Sequence, residues 1–386
     1  MIVMSWNPVR PSVLAGLVLA LAVGATPAAA AGPSPASDMI VRQPPTGAVP
    51  MIRDMAALGG TIAIAWEATG DPAASGGVAT SDNGGTSWGQ YLALPDEHEA
   101  RGDVCSSPMD FTGVLTYTTP GNDHVVDLEI HPHGRQLVDP DVDFLHPDVA
   151  CFAGSRVATV LVRKTAQGSR LIVWQYQPDA TDGATGVDLG KVPASTRAVI
   201  AATSTAVHVA WVSGNALHYR RIAVGAAPGY TMTAKPAQTI DSGKGLGLPQ
   251  LAVDGKRVVL AWQRKGNVVA RVSTNKGVSF GTQRTLFTGQ PTSGKVAFLD
   301  SVAVRGSQVV VSGTVVSEGI TATGSVMRTT NDGGTWRKVA GSTRTGGFVY
   351  AALSGSGADS QLYLAWDQRF TSNDPQAITF TTVALP

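Results

Sequence analysis

The chain has 386 residues, enough for two domains, although closed all-β architectures commonly run to about 200–250 residues as one unit. Charged residues make up 15% of it and the formal net charge is +1, while Gly (44) and Pro (23) are abundant and aromatics are only 6%. Such a profile excludes coiled coils, acidic disorder and an electrostatic nucleic-acid binder, and it suits short strands joined by turns.

The N-terminus reads as an export signal. Arg10 supplies positive charge, Val13 to Val23 form a short apolar run, and Ala28-Ala29-Ala30-Ala31 put small residues at cleavage-site spacing. The run is too short to span a membrane and no second one follows. Residues 1–31 are therefore expected to be a cleaved signal peptide, residues 32–37 a linker, and residues 38–386 the folded domain of a secreted protein. Cys105 and Cys151 are the two cysteines. An even count in an exported chain suggests a disulfide, with two buried thiols as the alternative.

Next along the chain, Gly59-Gly60-Thr61-Ile62-Ala63-Ile64-Ala65-Trp66 recurs in outline at residues 204–211, 255–262 and 359–366, ending in Trp211, Trp262 and Trp366. Weaker copies end at Tyr117, Leu161 and Gly313, so successive end points lie 51, 44, 50, 51, 51 and 53 residues apart. Each unit has room for four short strands and lacks helical periodicity. The period predicts a single all-β domain, a seven-bladed β-propeller of four-stranded antiparallel blades. The last unit is short after Trp366, with one strand at Ala377 to Val383 before the sequence stops, and an incomplete blade leaves an open edge. Met39-Ile40-Val41-Arg42 is expected to close the ring as its outer strand. Cys105 and Cys151 fall on first strands of neighbouring blades, near the axis.

A second repeat is Ser81-Asp82-Asn83-Gly84-Gly85-Thr86-Ser87-Trp88. Ser273-Thr274-Asn275-Lys276-Gly277-Val278-Ser279-Phe280 matches it position by position, and Thr330-Asn331-Asp332-Gly333-Gly334-Thr335-Trp336 matches with one residue missing before the Trp. The chemistry is that of a turn: a short amide or acid bonds its own backbone, glycines permit positive φ, and an aromatic closes the turn. Its expected framework residues are Ser81, Asn83, Gly85 and Trp88, then Ser273, Asn275, Gly277 and Phe280, then Thr330, Asp332, Gly334 and Trp336.

These segments resemble the Asp-box of sialidases and other secreted β-propellers. Two further stretches carry the resemblance. Met51-Ile52-Arg53-Asp54-Met55 is similar to the opening Arg-Ile-Pro stretch of sialidases, with Asp54-Met55 in place of Ile-Pro, and Phe348-Val349-Tyr350-Ala351-Ala352-Leu353 is similar to the stretch that bears their nucleophilic tyrosine. The resemblance implies Arg53 as part of a carboxylate clamp and Tyr350 as nucleophile, in first and last blades that adjoin in a closed ring. Sialidases have six blades, however, and none of Glu67, Glu97, Glu99, Glu129 and Glu318 matches the tyrosine's acidic partner. Arg197, Arg264, Arg271, Arg344 and Arg369 compete for the remaining clamp positions. The structural alternatives are Arg53 paired with Asp54 or Asp300, and Tyr350 packed between blades.

A polar patch runs from Asp123 to Asp148. His131-Pro132-His133 has two imidazoles at metal-binding spacing, and Asp139-Pro140-Asp141-Val142-Asp143 has oxygen donors of the calcium type. Phe144 stands where that loop needs Gly and Ala150 where it needs Glu, so a solvated acidic loop is the favoured reading and a structural calcium the alternative. No cofactor is otherwise expected. His146 and Asp148, entering a first strand beside Cys151, join Asp54 and Arg344 as candidate binding residues. The expected function is recognition of a carbohydrate or cell-surface ligand by a secreted monomer through loops at the channel mouth, without catalysis and without nucleic acid or a membrane span. An exo-sialidase-type hydrolase is the alternative.

Overall fold

The computed structural model divides at Ser34/Pro35 into two units, and the described residues all lie in the second. It describes residues 39–42, 49–69, 76–94, 97–104, 111–118, 124–131, 134–137, 144–152, 156–176, 185–226, 231–317, 321–355, 360–367 and 377–385. The proposed signal peptide and linker, Cys105, and the patch residues Asp123, His133, Asp139, Asp141 and Asp143 lie outside the described residues.

The described strands form seven antiparallel sheets in chain order. Their innermost strands are Val49–Leu58, Glu97–Val104, Phe144–Phe152, Ala198–Thr203, Leu246–Asp254, Val296–Arg305 and Val349–Ser354. Each contacts its successor, and the last contacts the first. All seven end points of the first sequence repeat fall on second strands, among them Thr61–Thr69, Ala206–Ser213, Arg257–Arg264 and Gln361–Asp367. The Trp residues there are buried, at 1, 6, 0 and 4% exposure for Trp66, Trp211, Trp262 and Trp366, because an aromatic at one position in successive sheets fills the space between them. Met39–Arg42 pairs antiparallel with Ile378–Ala384 as the outermost strand of the seventh sheet.

Two sheets have five strands rather than four, and in both the fourth strand is split. In the fourth sheet Met232–Ala234 and Gln238–Ser242 both pair with Ala216–Val224. Between them stands Pro236, which has no N–H for the ladder. In the sixth, Arg337–Lys338 and Arg344–Thr345 pair with the two ends of Thr321–Thr329. The break is Val339 to Thr343, where Gly341 has φ 73° and the Ser342 hydroxyl takes over as acceptor from the Val326 N–H at 3.1 Å.

The three turn segments join third to fourth strands in sheets one, five and six, with one hydrogen-bond pattern. The Ser81 hydroxyl accepts from Asn83 and Gly85 N–H, and Asn83 Oδ1 accepts from Ser87 N–H. Ser273, Asn275, Gly277 and Ser279 repeat this. In the third segment the register differs from the sequence expectation: Thr329, not Thr330, accepts from Asn331 and Gly333, and Asn331, not Asp332, accepts from Thr335. No residue is missing, and Gly333 rather than Gly334 is the framework glycine. The framework glycines lie against the preceding sheet. A Cβ on Gly277 would sit 1.8 Å from Tyr219 Oη, and one on Gly85 would sit 2.1 Å from the Phe380 ring. Trp88 and Phe280 meet the same two rings edge-on at 5.1 and 5.0 Å.

Candidate functional site

Strand direction sorts the candidate residues. Innermost and third strands run the same way, so both end at the edge that carries the turns, and there Gly84 N–H donates to Gly60 O and Lys276 N–H to Lys256 O, each at 2.8 Å. The opposite edge holds the starts of the innermost strands and the ends of the second strands. Arg53, His146, Asp148 and Tyr350 fall towards that edge, with Glu67 and Asp367 beside them.

Arg53 is the extra residue of a bulge, since Ile52 pairs with Trp66 and Asp54 with Ala65. A bulge re-aims its side chain, and Arg53 Nη2 donates to Glu67 Oε2 at 2.6 Å, the Arg side chain 34% exposed and the Glu 6%. Glu67 is thus an acid on Arg53 that the sequence did not point to. Asp54 Oδ1 accepts from Met55 N–H at 2.9 Å. Tyr350 packs, partly buried, against a cluster that includes Ile52, Trp66, Ala352, Tyr363 and Phe380. Consecutive strand residues face opposite sides, so Glu67 leaves its strand on the face away from the one Trp66 shares with Tyr350. The arrangement orients a guanidinium, and it packs the Tyr350 ring against the cluster that holds Trp66.

The binding candidates divide similarly. His146 takes φ 51° in a bulge between Leu145 and Asp148. Asp148 is buried and accepts the Ile200 N–H of the next sheet at 2.9 Å, which makes it a structural acceptor. Arg344 stacks over the Trp366 ring at 4.4 Å and donates to the Gly341 and Thr343 carbonyls. Phe298 and Phe348, both partly buried, meet edge-on at 5.6 Å. Arg53 and Arg344 lie towards the same edge as this pair.

Sequence reasoning missed a set of buried carboxylates that tie innermost strands together. Besides Asp148, Asp300 Oδ2 accepts from Val349 N–H at 3.0 Å and from the Thr314 hydroxyl at 2.6 Å. Asp367, wholly buried, accepts from Ile52 N–H at 3.2 Å and Phe348 N–H at 3.1 Å. The available signal was an acid at the head of an apolar first strand or directly after a Trp end point. Gly347 lets this approach happen, for a Cβ there would sit 1.3 Å from the Asp367 carbonyl oxygen.

Along the axis, the innermost strands line a cavity of about 310 Å³ that runs to their turn-bearing ends, with Asp54, Thr203, Gln250, Ser301 and Arg305 on its wall. Cys151 also lines it. Among the described residues no three His, Cys, Asp or Glu side chains gather as a metal set, and no helix is long and apolar enough to cross a membrane.

No protein-family model and no curated protein matches the sequence. Solved structures do match. The β-propeller domain of the trilobed protease from Pyrococcus furiosus aligns with a TM-score of 0.50 at 7% identity, over 86% of this chain and 95% of that one. The acylaminoacyl peptidase of Pyrococcus horikoshii aligns with a TM-score of 0.50 at 8% identity, over 88% of this chain and 52% of that one, so the chain spans about half that protein's length. The NanB sialidase of Streptococcus pneumoniae is more distant, with a TM-score of 0.47 at 8% identity over 90% and 70%. At these identities the likeness is one of fold, and the fold is a β-propeller.

Proposed function

We propose that this chain is a secreted, monomeric, seven-bladed Asp-box propeller, closed by Met39–Arg42, that binds a carbohydrate or cell-surface ligand at the channel mouth and does not turn it over. Seven sheets, the succession of contacting innermost strands and the pairing of Met39–Arg42 with Ile378–Ala384 support the architecture. The export-like residues 1–31 and the even count of cysteines, Cys105 and Cys151, which we propose to be paired, support secretion.

The observation that carries the non-catalytic reading is the Arg53–Glu67 pair. A guanidinium already matched by a nearly buried carboxylate presents little net charge to an acidic sugar. The Phe298–Phe348 pair and fixed polar groups near it would suit a hydroxyl-rich, neutral ligand. The hydrolase alternative needs Tyr350 activated by an acid; its ring packs among side chains that include Ile52, Trp66 and Ala352.

Two assays on the purified mature chain test this reading: release of a fluorophore from an aryl sialoside, and binding of neutral and sialylated oligosaccharides. We expect no release, and neutral-glycan binding weakened about tenfold, ~1.4 kcal/mol, by Phe348→Ala. Release abolished by both Arg53→Ala and Tyr350→Phe would establish the hydrolase instead. Neither release nor binding would remove the glycan reading.

A further inference from the structure

The formal net charge of +1 conceals a steep division along the chain. Residues 49–137, which build the first and second sheets, contain twelve Asp and Glu against three Lys and Arg. Residues 198–345, which build the fourth to sixth, contain seventeen Lys and Arg against five Asp and Glu. Sheets follow one another in chain order and the last contacts the first, so the fifth stands three sheets away from both the first and the second. The molecule thus has an acidic side and, across the axis from it, a basic side, each with a field of its own.

On the basic side the described carboxylates are engaged within the fold. Asp241 pairs with Arg264, Asp254 accepts Gly306 N–H, Asp300 accepts Val349 N–H, and Asp332, the one exposed acid among the described residues there, accepts from Arg257. The exposed cations are not matched. Lys244, Lys256, Lys265, Lys276 and Arg284 belong to the fifth sheet or the segment entering it; all are exposed, and none makes an ion pair among the described residues.

Backbone geometry adds a second observation. Lys276 takes φ 61° where the first turn segment has Gly84 at φ 69°, a conformation that disfavours any residue with a Cβ. Lys265 takes φ 52° in the hairpin at the opposite edge. The fifth sheet therefore keeps lysine at two positions that glycine would fill more easily. Lys276 N–H donates to Lys256 O at 2.8 Å, so these two side chains leave adjoining loops of the turn-bearing edge, and Arg284 follows on the outer strand.

The surface chemistry narrows the partner. Among the described residues of these three sheets no aromatic ring is exposed, so the stacking platform that single-stranded nucleic acid uses is missing. Leu248 and Val278 are the large apolar side chains exposed there, too few to anchor in a lipid surface. Unmatched cations spread along an edge suit a flexible chain of repeated anionic groups. We propose that the basic side, through Lys256, Lys276 and Arg284, is a docking surface for an extended acidic polysaccharide. It is separate from the proposed neutral-glycan site at the mouth and does not depend on that reading.

The test is anisotropy titration of the full mature chain into two labelled probes, a heparin oligosaccharide bearing sulfates and a polygalacturonate oligosaccharide bearing carboxylates. Binding is expected at about 50 mM salt and should fall about tenfold or more by about 200 mM. Lys256→Gln, Lys276→Asn and Arg284→Gln together should weaken it about tenfold or more at the lower salt. All three positions are exposed and Asn tolerates positive φ, so the fold should survive, which circular dichroism checks. Gln167→Glu with Lys191→Glu, exposed positions of the third sheet, lowers the net charge by the same three units and should weaken binding far less. The probe held more tightly identifies sulfate or carboxylate as the natural group. No binding at the lower salt, or equal losses in the two variants, overturns the proposal. So does tighter binding of duplex DNA that the triple variant loses, since that would assign the surface to nucleic acid.

Discussion

His208 shows how a single buried side chain couples this fold to pH. It sits on a second strand at 1% exposure, with Nδ1 2.5 Å from Tyr219 Oη. Burial first, and the nearby Arg221 second, lower its pKa from 6.5 to about 3. Between those values the unfolded chain takes up a proton that the folded chain refuses. The contribution is therefore complete above about pH 6.5 and is lost as pH falls towards 3, by roughly 1.4 kcal/mol per pH unit. Urea unfolding at pH 7 and pH 5 should show that loss in the wild type and a smaller one in His208→Phe; equal losses would assign the pH dependence elsewhere. Tyr219→Phe strands the imidazole without a hydroxyl partner and should cost about 1–3 kcal/mol at pH 7.

Between neighbouring sheets, the strongest directional contacts are carboxylates that reach across to backbone N–H groups. Asp367 is the clearest, since one buried carboxylate serves Phe348 of its own sheet and Ile52 of the first. Asp367→Ala leaves two buried donors unsatisfied and should lower stability by about 2–4 kcal/mol. Amide exchange should accelerate at Ile52 and Phe348 and stay unchanged at distant amides such as Val259; a uniform acceleration would mean that the carboxylate serves overall stability only.

Such cross-sheet bonds are also where the sequence stopped being readable. Second strands were legible because their apolar run and terminal aromatic repeat at one period, and the turns because their chemistry is local. The third turn slipped by one because Thr329-Thr330, Asn331-Asp332 and Gly333-Gly334 are each doubled, so the motif fits at two offsets; only the spacing to Trp336 favours Thr329. Arg53 was legible as a candidate, but its partner was not. The bulge at Arg53 shifts the pairing by one residue, and nothing in the local sequence announces it.

Across the whole molecule, the seventh sheet joins residues from the two ends of the described chain. Removing Met39–Arg42 would expose the full edge of Ile378–Ala384, and an unprotected edge recruits other chains. A mature chain beginning after Arg42 should melt several degrees lower and elute partly as oligomers in gel filtration. An unchanged melting temperature and a monomeric profile would show that the strand is dispensable.

The same sheet sets a condition on biosynthesis. Ile52 and the carboxylate that receives its N–H are 315 residues apart, so early strands leave the ribosome long before their partners exist. Contacts of such sequence separation slow folding. Until the seventh sheet has been synthesised, the first sheet lacks its final neighbour and Met39–Arg42 lacks any strand to join. Holdase chaperones that recognise extended, apolar segments would find their natural substrate in that waiting interval.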